Sequence, residues 1–423
     1  MQKFIIKGNQ LHKQGTIPVY GAKNSAIKLL PATLLIDGPV TLHNIPDIDD
    51  IKDMIQILMV LGAKVDRLDN HSYRIDTTVV HSSSIPVDLA VKMRASFLFI
   101  APLLIRFGEV SFPHPGGDAI GRRPIDMTLE SLRLMGADIE EADSSYRFQL
   151  KQGFLTGIEY VFKWISHTST ENLIMSAVKA KGKTTIYNAA LEPEITALCD
   201  MLRSAGAQIM GDGTSQIEII GVEQLHSVEY TNIPDRLEAG TFAILAALTR
   251  SDITVTDIVP EHLRVFWKFL DLAGVQYELG ENSIHIMSHD NPYHALQLKT
   301  HEYPGFVTDL QAPFTLLLTQ ATGTSVVQET IFDGRLFYTD ILNQMGANII
   351  MCDPYRVVVN GPTQLYGRKI ESPDVRAGMT FLLAALIAER DSEIHNIYHI
   401  DRGYERIEYR LRDVGFEIDR VDY

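Results

Sequence analysis

Apolar positions along the chain recur in the same order six times. Each unit begins with a helical segment that is apolar on nearly all sides, continues with an alternating, β-type segment and a second, amphipathic helical segment, and ends with two short alternating segments. A glycine closes the second helix of every unit, with a period of about 68–74 residues. Because a helix that is apolar all round must be buried, the pattern predicts first helices inside and sheets with second helices outside them.

The six closing turns place glycine where a helix end favours a positive φ. These glycines are Gly62, Gly136, Gly206, Gly274, Gly346 and Gly415. The first helices are predicted over Ser25–Leu35, Ala95–Ile105, Glu171–Ala180, Gly240–Leu248, Leu310–Ala321 and Ala377–Ala388. The strands that follow them are predicted over Val40–Asn44, Glu109–Phe112, Thr184–Asn188, Ile253–Asp257, Ser325–Thr330 and Glu393–Ile397. This arrangement is typical of an α/β fold built from six repeated βαβ-type units.

The length of 423 residues is too great for one hydrophobic core, so we expect two domains of three units each. The boundary is predicted near Asn232–Asp235. The first domain then covers residues 23–233 and carries the glycine-rich segment 113–127, and the second covers residues 1–22 plus 234–423. The N-terminal segment is expected to complete the last unit, because Asp419–Tyr423 ends the chain without a partner strand.

Composition narrows the possible partners. Apolar residues make up 45% of the chain and charged residues 22%, as in ordinary globular proteins. The formal net charge of -15 argues against nucleic acid or a membrane surface as partner, since both need a basic face. Cys199 and Cys352 lie far apart in apolar patterns, so neither a disulfide scaffold nor a zinc site is expected. The longest apolar run, Ser96–Ile105, is too short to cross a membrane, and a cytoplasmic location is expected.

Several motif-like patterns are rejected. Gly182-Lys183-Thr184 resembles the end of a P-loop, but Ala177 stands where the first glycine belongs and Thr184 opens a strand. His395 and His399 are four residues apart, but they lie on or just past an alternating segment and not on a helix face, so they do not form a metal pair. No Gly-x-Gly-x-x-Gly follows a strand.

The segment Pro113–Met127 is rich in glycine, follows an alternating segment and leads into a helix. It combines a carboxylic acid, Asp118, with two permanent cations, Arg122 and Arg123, and Pro124 stands where a helix would start. An acid beside cations and a helix N-terminus can protonate an anionic substrate. A solvated surface turn is the alternative interpretation of the same residues.

Basic residues recur near the predicted starts of the helices: Lys23, Arg94, Arg122, Arg123, Arg335, Arg376 and Arg402. Equivalent helix starts lie on the same side in modules of the same handedness. Two domains that face each other by these ends would therefore bring the cations into one cleft. Helix N-termini add partial positive charge, so such a cleft favours phosphates and carboxylates. Taken singly, a basic residue is more often an ordinary solvated surface charge, and it is their recurrence at equivalent positions that favours a cleft.

Seven short stretches, in order along the chain, match one protein family. They are Gly21-Ala22-Lys23-Asn24-Ser25, Met93-Arg94-Ala95-Ser96, Pro115-Gly116-Gly117-x-x-Ile120-Gly121-x-Arg123-Pro124-Ile125-Asp126, Glu192-Pro193-Glu194-Ile195, Asp235-Arg236-x-Glu238-x-Gly240-Thr241-Phe242, Thr308-Asp309-x-Gln311-Ala312 and Asp401-Arg402-Gly403-Tyr404-Glu405. This set resembles the UDP-N-acetylglucosamine 1-carboxyvinyltransferases, also called UDP-N-acetylglucosamine enolpyruvyl transferases, over essentially the whole chain. The resemblance implies an inside-out α/β barrel in each of two domains, with the active site between them.

The resemblance also implies a transferase that needs no cofactor and no metal. Phosphoenolpyruvate donates its enolpyruvyl group to the 3′-hydroxyl of UDP-N-acetylglucosamine, the first committed step of peptidoglycan synthesis. By similarity, phosphoenolpyruvate is held by Lys23, Asn24, Arg123, Arg376 and Arg402. The nucleotide sugar is held by Arg94, Arg123, Pro124, Ile125, Asp126, Met127, Ser166, Asp309, Ile331 and Arg335. The implied catalytic set is Asp118 as proton donor, Asp309 as candidate base, and Lys23 and Arg402 as cations that neutralise the intermediate.

The sequence differs from the usual family pattern at several positions. Asp118 stands where most members have cysteine, and because a carboxylate is a poorer nucleophile than a thiolate, we expect insensitivity to the epoxide fosfomycin. Near the expected nucleotide-sugar site, Ser166-His167-Thr168 replaces Ser-Val-Gly, and Asp333-Gly334-Arg335-Leu336 replaces Glu-Asn-Arg-Phe. Two alternatives stay open: an enolpyruvyl transferase for a different nucleotide sugar, and a non-catalytic paralogue. The shikimate-pathway relative is disfavoured, because Gly-Ala-Lys-Asn-Ser and Arg-Pro-Ile-Asp stand in place of its signatures.

Overall fold

The computed structural model describes residues 2–114, 116 and 125–423. Over these ranges the chain forms two units. Domain 1 comprises the described residues from 21 to 233, and domain 2 comprises residues 2–20 and 234–423. The chain therefore begins in domain 2, passes through the whole of domain 1 and returns to domain 2.

Strands recur along the whole described chain, as the repeating pattern predicts. In chain order they are β1 (Gln2–Ile6), β2 (Gln14–Pro18), β3 (Val40–His43), β4 (Lys64–Arg67), β5 (Tyr73–Asp76), β6 (Glu109–Pro113), β7 (Ala137–Ala142), β8 (Ser145–Leu150), β9 (Glu159–Val161), β10 (Lys183–Tyr187), β11 (Gln208–Met210), β12 (Gln216–Ile220), β13 (Val228–Thr231), β14 (Asp252–Thr256), β15 (Tyr277–Leu279), β16 (Ser283–Ile286), β17 (Tyr293–His294), β18 (Gln297–Lys299), β19 (Ala321–Gln328), β20 (Asn348–Asp353), β21 (Arg356–Gly361), β22 (Lys369–Glu371), β23 (Ser392–His395) and β24 (Ile418–Asp422).

The helices alternate with these strands. They are α1 (Lys23–Ala32), α2 (Asp49–Val60), α3 (Val87–Ala90), α4 (Ile100–Phe107), α5 (Asp126–Leu134), α6 (His167–Ala177), α7 (Pro193–Ser204), α8 (Arg236–Leu248), α9 (Arg264–Ala273), α10 (Gln311–Leu318), α11 (Tyr338–Gln344), α12 (Val375–Ile387), α13 (Tyr398–Asp401) and α14 (Ile407–Asp413). Short 3₁₀ helices span Thr33–Leu35, Arg94–Phe99, Pro260–Leu263 and Thr308–Leu310. Within the described ranges, none of these helices has both the length and the apolar character that crossing a bilayer requires.

The described part of domain 1 contains three sheets, one for each of the first three units. Their strand orders are β13-β3-β5-β4, β6-β8-β7 and β11-β12-β10-β9. In the first sheet β3 pairs antiparallel with β5, so that Val40 lies opposite Ile75. Strand β13, from the end of the domain, adds in parallel to β3. The last segment of the third unit therefore completes the sheet of the first.

Domain 2 contains the sheets of the other three units, with orders β15-β16-β14-β2, β17-β19-β21-β20 and β22-β23-β1-β24. In the second of these sheets a fifth strand, β18, also pairs in parallel with β19. Strand β1 lies between β23 and β24 and is antiparallel to both, with Phe4 opposite Ile394 on one side and Arg420 on the other. Strand β2 pairs in parallel with β14. The N-terminal segment thus supplies one strand to the sixth unit and one to the fourth.

The first helix of each unit forms the interior of its domain. Every residue of α8 and α10 is buried, and α12 is buried over all but its last residue. The second helices are amphipathic; α9 buries Phe266, Trp267, Leu270 and Ala273 and leaves polar residues exposed on its other face. Strands alternate buried and exposed side chains, as β8 does, and each domain has one large apolar core. The predicted inside-out α/β arrangement is confirmed.

The six repeat glycines all adopt a positive φ, between 82° and 111°. Residues with a Cβ atom rarely adopt such angles, so the prediction drawn from the turn pattern is confirmed at each position. At Gly346 a Cβ atom would also lie 2.6 Å from the carbonyl oxygen of Gln364. Both the turn and the close approach of the neighbouring chain therefore require glycine there.

Two of the first helices begin with a 3₁₀ segment, which the sequence analysis did not predict. One precedes α4, and the other, Thr308–Leu310, precedes α10. Proline explains both, because Pro102 and Pro313 lack the N–H that a continuous α-helix would direct at the carbonyl four residues earlier. For Pro313 that carbonyl belongs to Asp309. The tighter 3₁₀ turn thus determines the backbone conformation of Asp309, one of the predicted site residues.

Candidate active site

One carboxylate of domain 2 is held between two arginines. Asp309 lies in the 3₁₀ segment before α10. Arg335 Nη2 donates to Asp309 Oδ1 at 2.8 Å, and Arg376 Nε donates to Asp309 Oδ2 at 3.1 Å. Both arginine side chains are nearly fully buried, whereas that of Asp309 is 21% exposed. The cluster therefore presents a partly accessible carboxylate backed by two buried cations.

These contacts fix the charge of the Asp309 cluster. Burial alone would raise the pKa of the Asp309 carboxyl, but the charges and hydrogen bonds of Arg335 and Arg376 outweigh burial and hold that pKa far below its usual range. Burial alone would lower the pKa of Arg376, but its interactions with Tyr404 and Asp309 outweigh burial and raise that pKa above its usual value. One ionised carboxylate and two guanidinium groups leave net positive charge, which favours an anionic ligand.

A second carboxylate, Glu329, organises the backbone next to Asp309. It is fully buried and follows directly after β19. Its Oε2 accepts a hydrogen bond from Thr308 Oγ1 at 2.8 Å, and its Oε1 accepts one from the backbone N–H of Ile331 at 2.8 Å. Glu329 thereby links Ile331, a predicted nucleotide-sugar residue, to the segment that carries Asp309. Glu329 was not predicted as a site residue; the available signal was an acid two residues after Val327, on the same face of the predicted strand Ser325–Thr330.

The structure corrects the position predicted for Arg402. Arg402 was predicted at the start of a second helix, but α14 begins at Ile407, and Arg402 is the C-cap of the short helix α13. Arg406 adopts a left-handed conformation with φ of 43°, which separates α13 from α14. Arg402 therefore does not stand at a helix N-terminus, and the positive backbone field expected at such a position does not apply to it.

In domain 1 the predicted phosphoenolpyruvate residue Lys23 is the first residue of α1. Its Nζ lies 2.7 Å from Oδ2 of Asp50, which belongs to the first turn of α2, and both side chains are largely buried. Asn24 follows at the second helical position. Ala22 stands at the N-cap, and an alanine side chain cannot accept hydrogen bonds from the first N–H groups of the helix. The start of α1 therefore has the backbone character of an anion site.

The predicted nucleotide-sugar residues 125–127 and Ser166 meet at the starts of α5 and α6. Ser166 caps α6, because its Oγ accepts a hydrogen bond from the backbone N–H of Ser169. Thr128 Oγ1, in the first turn of α5, donates to Ser169 Oγ at 3.1 Å. This hydroxyl cluster ties the two helix starts together. The structure thus brings these predicted residues into one part of domain 1.

A buried ion pair connects α1 with α6. Lys28 Nζ lies 3.0 Å from Glu171 Oε1, and the two side chains are 3% and 1% exposed. His167, the first residue of α6, lies with Nδ1 3.2 Å from the same oxygen. Burial lowers the pKa of His167, but the hydrogen bond and charge of Glu171 outweigh burial and raise that pKa above its usual value. His167 was recognised from the sequence as a difference from the family pattern, whereas no role was predicted for Lys28 or Glu171.

The remaining predicted residues lie in another 3₁₀ helix of domain 1 or outside the described ranges. Arg94 is the first residue of its 3₁₀ helix and is partly buried. The catalytic and ligand roles of Asp118, Arg123 and Pro124, and the cation Arg122, fall on residues that the structure does not describe, so they stay predictions. The same holds for the idea that the cations of the two domains share one cleft.

Domain 2 also contains a cavity of about 440 Å³, a volume typical of small-molecule sites. Its lining includes Arg236 at the start of α8, Arg264 at the start of α9, and Tyr303. Val307, two residues before Asp309, also lines it. The cavity thus adjoins the segment that carries the candidate base. In the described ranges no group of three or more His, Cys, Asp or Glu side chains could hold a metal ion.

The fold is shared with solved structures. Two solved structures share the fold along the whole chain: the enolpyruvyl transferase NikO from Streptomyces tendae, with a TM-score of 0.90, 22% identity and 99% of each chain covered, and EPSP synthase from Acinetobacter baumannii, with a TM-score of 0.76, 18% identity and 100% of each chain covered. At these identities the likeness concerns the fold alone. The architecture is that of the enolpyruvyl transferases.

Sequence comparison gives the family. The sequence model of EPSP synthase (3-phosphoshikimate 1-carboxyvinyltransferase) matches residues 8–411, and the chain belongs to this family of transferases. Relatives named UDP-N-acetylglucosamine 1-carboxyvinyltransferase are 42% identical in Wolinella succinogenes, over 96% of both chains, and 42% identical in Novosphingobium aromaticivorans, over 100% of this chain and 99% of the relative. The resemblance drawn from the seven motifs is confirmed.

Proposed function

We propose that this chain transfers the enolpyruvyl group of phosphoenolpyruvate to the 3′-hydroxyl of UDP-N-acetylglucosamine and releases phosphate, the first committed step of peptidoglycan synthesis. The observation that carries the proposal is the Asp309 cluster. It offers a partly accessible carboxylate, the base that a hydroxyl nucleophile needs, beside two buried guanidinium groups that favour an anion. The names of relatives that align over the full length support UDP-N-acetylglucosamine as the acceptor.

The proposed reaction has an addition step and an elimination step. In the first, the 3′-oxygen bonds to C2 of phosphoenolpyruvate, Asp309 takes the hydroxyl proton and Asp118 donates a proton to C3. In the second, Asp118 takes a proton back from C3, the bond between C2 and the phosphate oxygen breaks, and the proton held by Asp309 leaves with the phosphate. The intermediate carries both a phosphate and a carboxylate, so nearby cations lower its energy.

The residue roles follow the family resemblance. Phosphoenolpyruvate is held by Lys23, Asn24, Arg123, Arg376 and Arg402. UDP-N-acetylglucosamine is held by Arg94, Arg123, Pro124, Ile125, Asp126, Met127, Ser166, Asp309, Ile331 and Arg335. The ion pairs of Lys23 with Asp50 and of Arg376 with Asp309 support these roles, because they orient two of the cations in the folded chain. The link from Glu329 to Ile331 supports the placement of Ile331 near the base.

A direct assay tests the proposal. Phosphate release is measured after the protein is mixed with phosphoenolpyruvate and UDP-N-acetylglucosamine, and turnover is expected only when both are present. Release with another nucleotide sugar but not with this one would select a transferase with a different acceptor. Binding of the nucleotide sugar by calorimetry, without release under any condition, would select a non-catalytic paralogue. Either result would overturn the proposed reaction.

Fosfomycin tests the role of residue 118. The rate of phosphate release is expected to stay the same however long the protein is incubated with the epoxide, because the Asp118 carboxylate is a weak nucleophile toward it. The Asp118→Cys variant is the matched control and is expected to lose activity progressively and irreversibly under the same conditions. Mass spectrometry of both proteins checks for the covalent adduct. Rapid irreversible inactivation of the natural chain would contradict the prediction.

A further inference from the structure

Two matched motifs meet in the interior of domain 2 at two residues, Thr241 and Tyr404, to which the proposed function gives no role. Thr241 belongs to the matched motif at 235–242 and Tyr404 to the one at 401–405, and each is only 1% exposed. The Tyr404 hydroxyl lies 3.0 Å from Thr241 Oγ1. Arg376 Nη1 donates to the same Tyr404 hydroxyl at 3.0 Å, while Arg376 Nε donates to Asp309. The two motifs therefore converge on the arginine that holds the candidate base.

The hydrogen bonds of this chain of residues can run in only one direction. Thr241 Oγ1 donates its single proton to the backbone carbonyl of Leu237, one helical turn earlier, at 2.7 Å. Thr241 can therefore only accept from Tyr404, and Tyr404, having donated its own proton, can only accept from Arg376. Each donor and acceptor along the path is satisfied. A buried polar path of this kind has one low-energy arrangement.

We propose that Tyr404, oriented by Thr241, is the positioning residue that holds Arg376 against Asp309 in the geometry that the transferase reaction requires. Arg376 is anchored at Nε by a carboxylate and at Nη1 by a hydroxyl, so its guanidinium group cannot rotate without breaking one of the two bonds. Its Nη2 is then presented in a fixed direction. This inference rests on the proposed function for the roles of Asp309 and Arg376, and it adds Tyr404 and Thr241 to the site.

The electrostatics of the neighbourhood are consistent with a neutral, fixed hydroxyl. Burial raises the pKa of Tyr404, and although Arg376 opposes this, the net shift is upward, so the phenol keeps its proton. The charged groups that act on Arg376 are Asp309 and Asp235, the N-cap of α8. Asp309 is faced by Arg335 and Arg376. Loss of the hydroxyl would free Arg376 to turn, and the pKa of Asp309 would rise as its partner moved away.

The variant Tyr404→Phe tests the proposal, because it removes one oxygen and keeps the ring. We expect kcat to fall roughly ten- to a hundredfold, the scale on which a misplaced catalytic group acts. The acidic limb of the pH profile of kcat should move to higher pH, while KM for the nucleotide sugar stays close to the natural value. Thr241→Val, which removes the acceptor for Tyr404, should lower kcat and move the acidic limb to higher pH, as Tyr404→Phe does. Thr241→Ser, which keeps the hydroxyl, should have the kcat and the acidic limb of the natural chain.

Tyr293→Phe is the matched control in the same domain. Tyr293 is also buried, and its hydroxyl donates to the backbone carbonyl of Ala247 at 2.6 Å. The free energy of unfolding in urea should fall by a similar amount in Tyr293→Phe and in Tyr404→Phe, but Tyr293→Phe should keep the natural kcat and pH profile. If Tyr404→Phe also loses only stability, with kcat and the acidic limb unchanged, Tyr404 is a structural residue and the proposal is wrong.

A measurement without substrate separates this proposal from the proposed reaction. The carboxyl carbon of Asp309 can be followed by NMR in protein labelled with ¹³C at the aspartate carboxyls, and assigned by its absence in Asp309→Asn. We expect its chemical shift at neutral pH, where the carboxylate is ionised in both proteins, to differ between Tyr404→Phe and the natural chain, because the guanidinium group of Arg376 moves relative to it. An identical chemical shift in both proteins would refute the positioning role even if the enzyme is active. A difference in a protein that releases no phosphate would uphold the positioning role and reject the reaction.

Discussion

The variant Asp309→Asn is expected to lower kcat for phosphate release by roughly 10²–10⁴-fold, the range that a positioned general base contributes. Asparagine keeps the shape of the side chain and one oxygen acceptor for Arg335 or Arg376, but it cannot take a proton from the sugar hydroxyl. It also removes the negative charge between two buried guanidinium groups. KM for phosphoenolpyruvate should therefore stay constant or fall, because the field at the cluster becomes more positive.

The split between kcat and KM distinguishes this prediction from simple damage to the site. Asp353→Asn is the matched control, since Asp353 also pairs with an arginine, Arg356, at 2.7 Å, but on the surface of the same domain. It should leave both constants unchanged. Steady-state kinetics of the two variants, with urea unfolding to verify the fold, gives the comparison. A residual kcat within tenfold of the natural value would exclude Asp309 as the base.

The features that the sequence predicted well are those set by local periodicity. The helices that are apolar all round form the interior, the amphipathic ones lie outside them, and each repeat glycine adopts a positive φ. Each follows from a few neighbouring residues, because period and backbone conformation are local properties. The seven matched motifs identified the family, because so many short matches in a fixed order along the chain are hard to obtain by chance.

The features that were missed or wrong depend on contacts between distant segments. Arg402 was placed at a helix start because the left-handed turn at Arg406 has no proline or glycine to mark it. The sequence shows Tyr404 only as part of a motif, because its contact with Thr241 of α8 requires the segment after α13 to lie in the same core as α8. Glu329 resembles an ordinary strand end in sequence, and the hydrogen bond that it accepts from Thr308 requires the 308–310 turn to lie beside it.

The variant Lys28→Met is expected to lower the free energy of unfolding by about 3–5 kcal/mol, the cost of removing one partner of a buried ion pair. Methionine matches the length of the lysine stem, but it leaves the carboxylate of Glu171 in the interior without its ammonium partner. Replacing both residues, as Lys28→Met with Glu171→Leu, should recover most of the loss, because the unpaired charge is then absent. Urea unfolding of the single and double variants measures both effects.

His167 gives the same prediction a dependence on pH. Glu171 raises the pKa of His167 above the pKa of histidine in the unfolded chain. The imidazolium of His167 therefore stabilises the fold fully at a pH below the unfolded-state pKa, and this stabilisation is lost as the pH rises through the raised pKa. The loss of stability in Lys28→Met should therefore be smaller at about pH 6 than at about pH 9, where His167 is neutral and cannot compensate the charge of Glu171.

Lys179→Met is the control in the same domain. Its partner Asp37 is half exposed, so the loss of stability should be about 1 kcal/mol or less at either pH. Equal losses at Lys28 and Lys179 would mean that water reaches Glu171 and that the pair is not buried in solution.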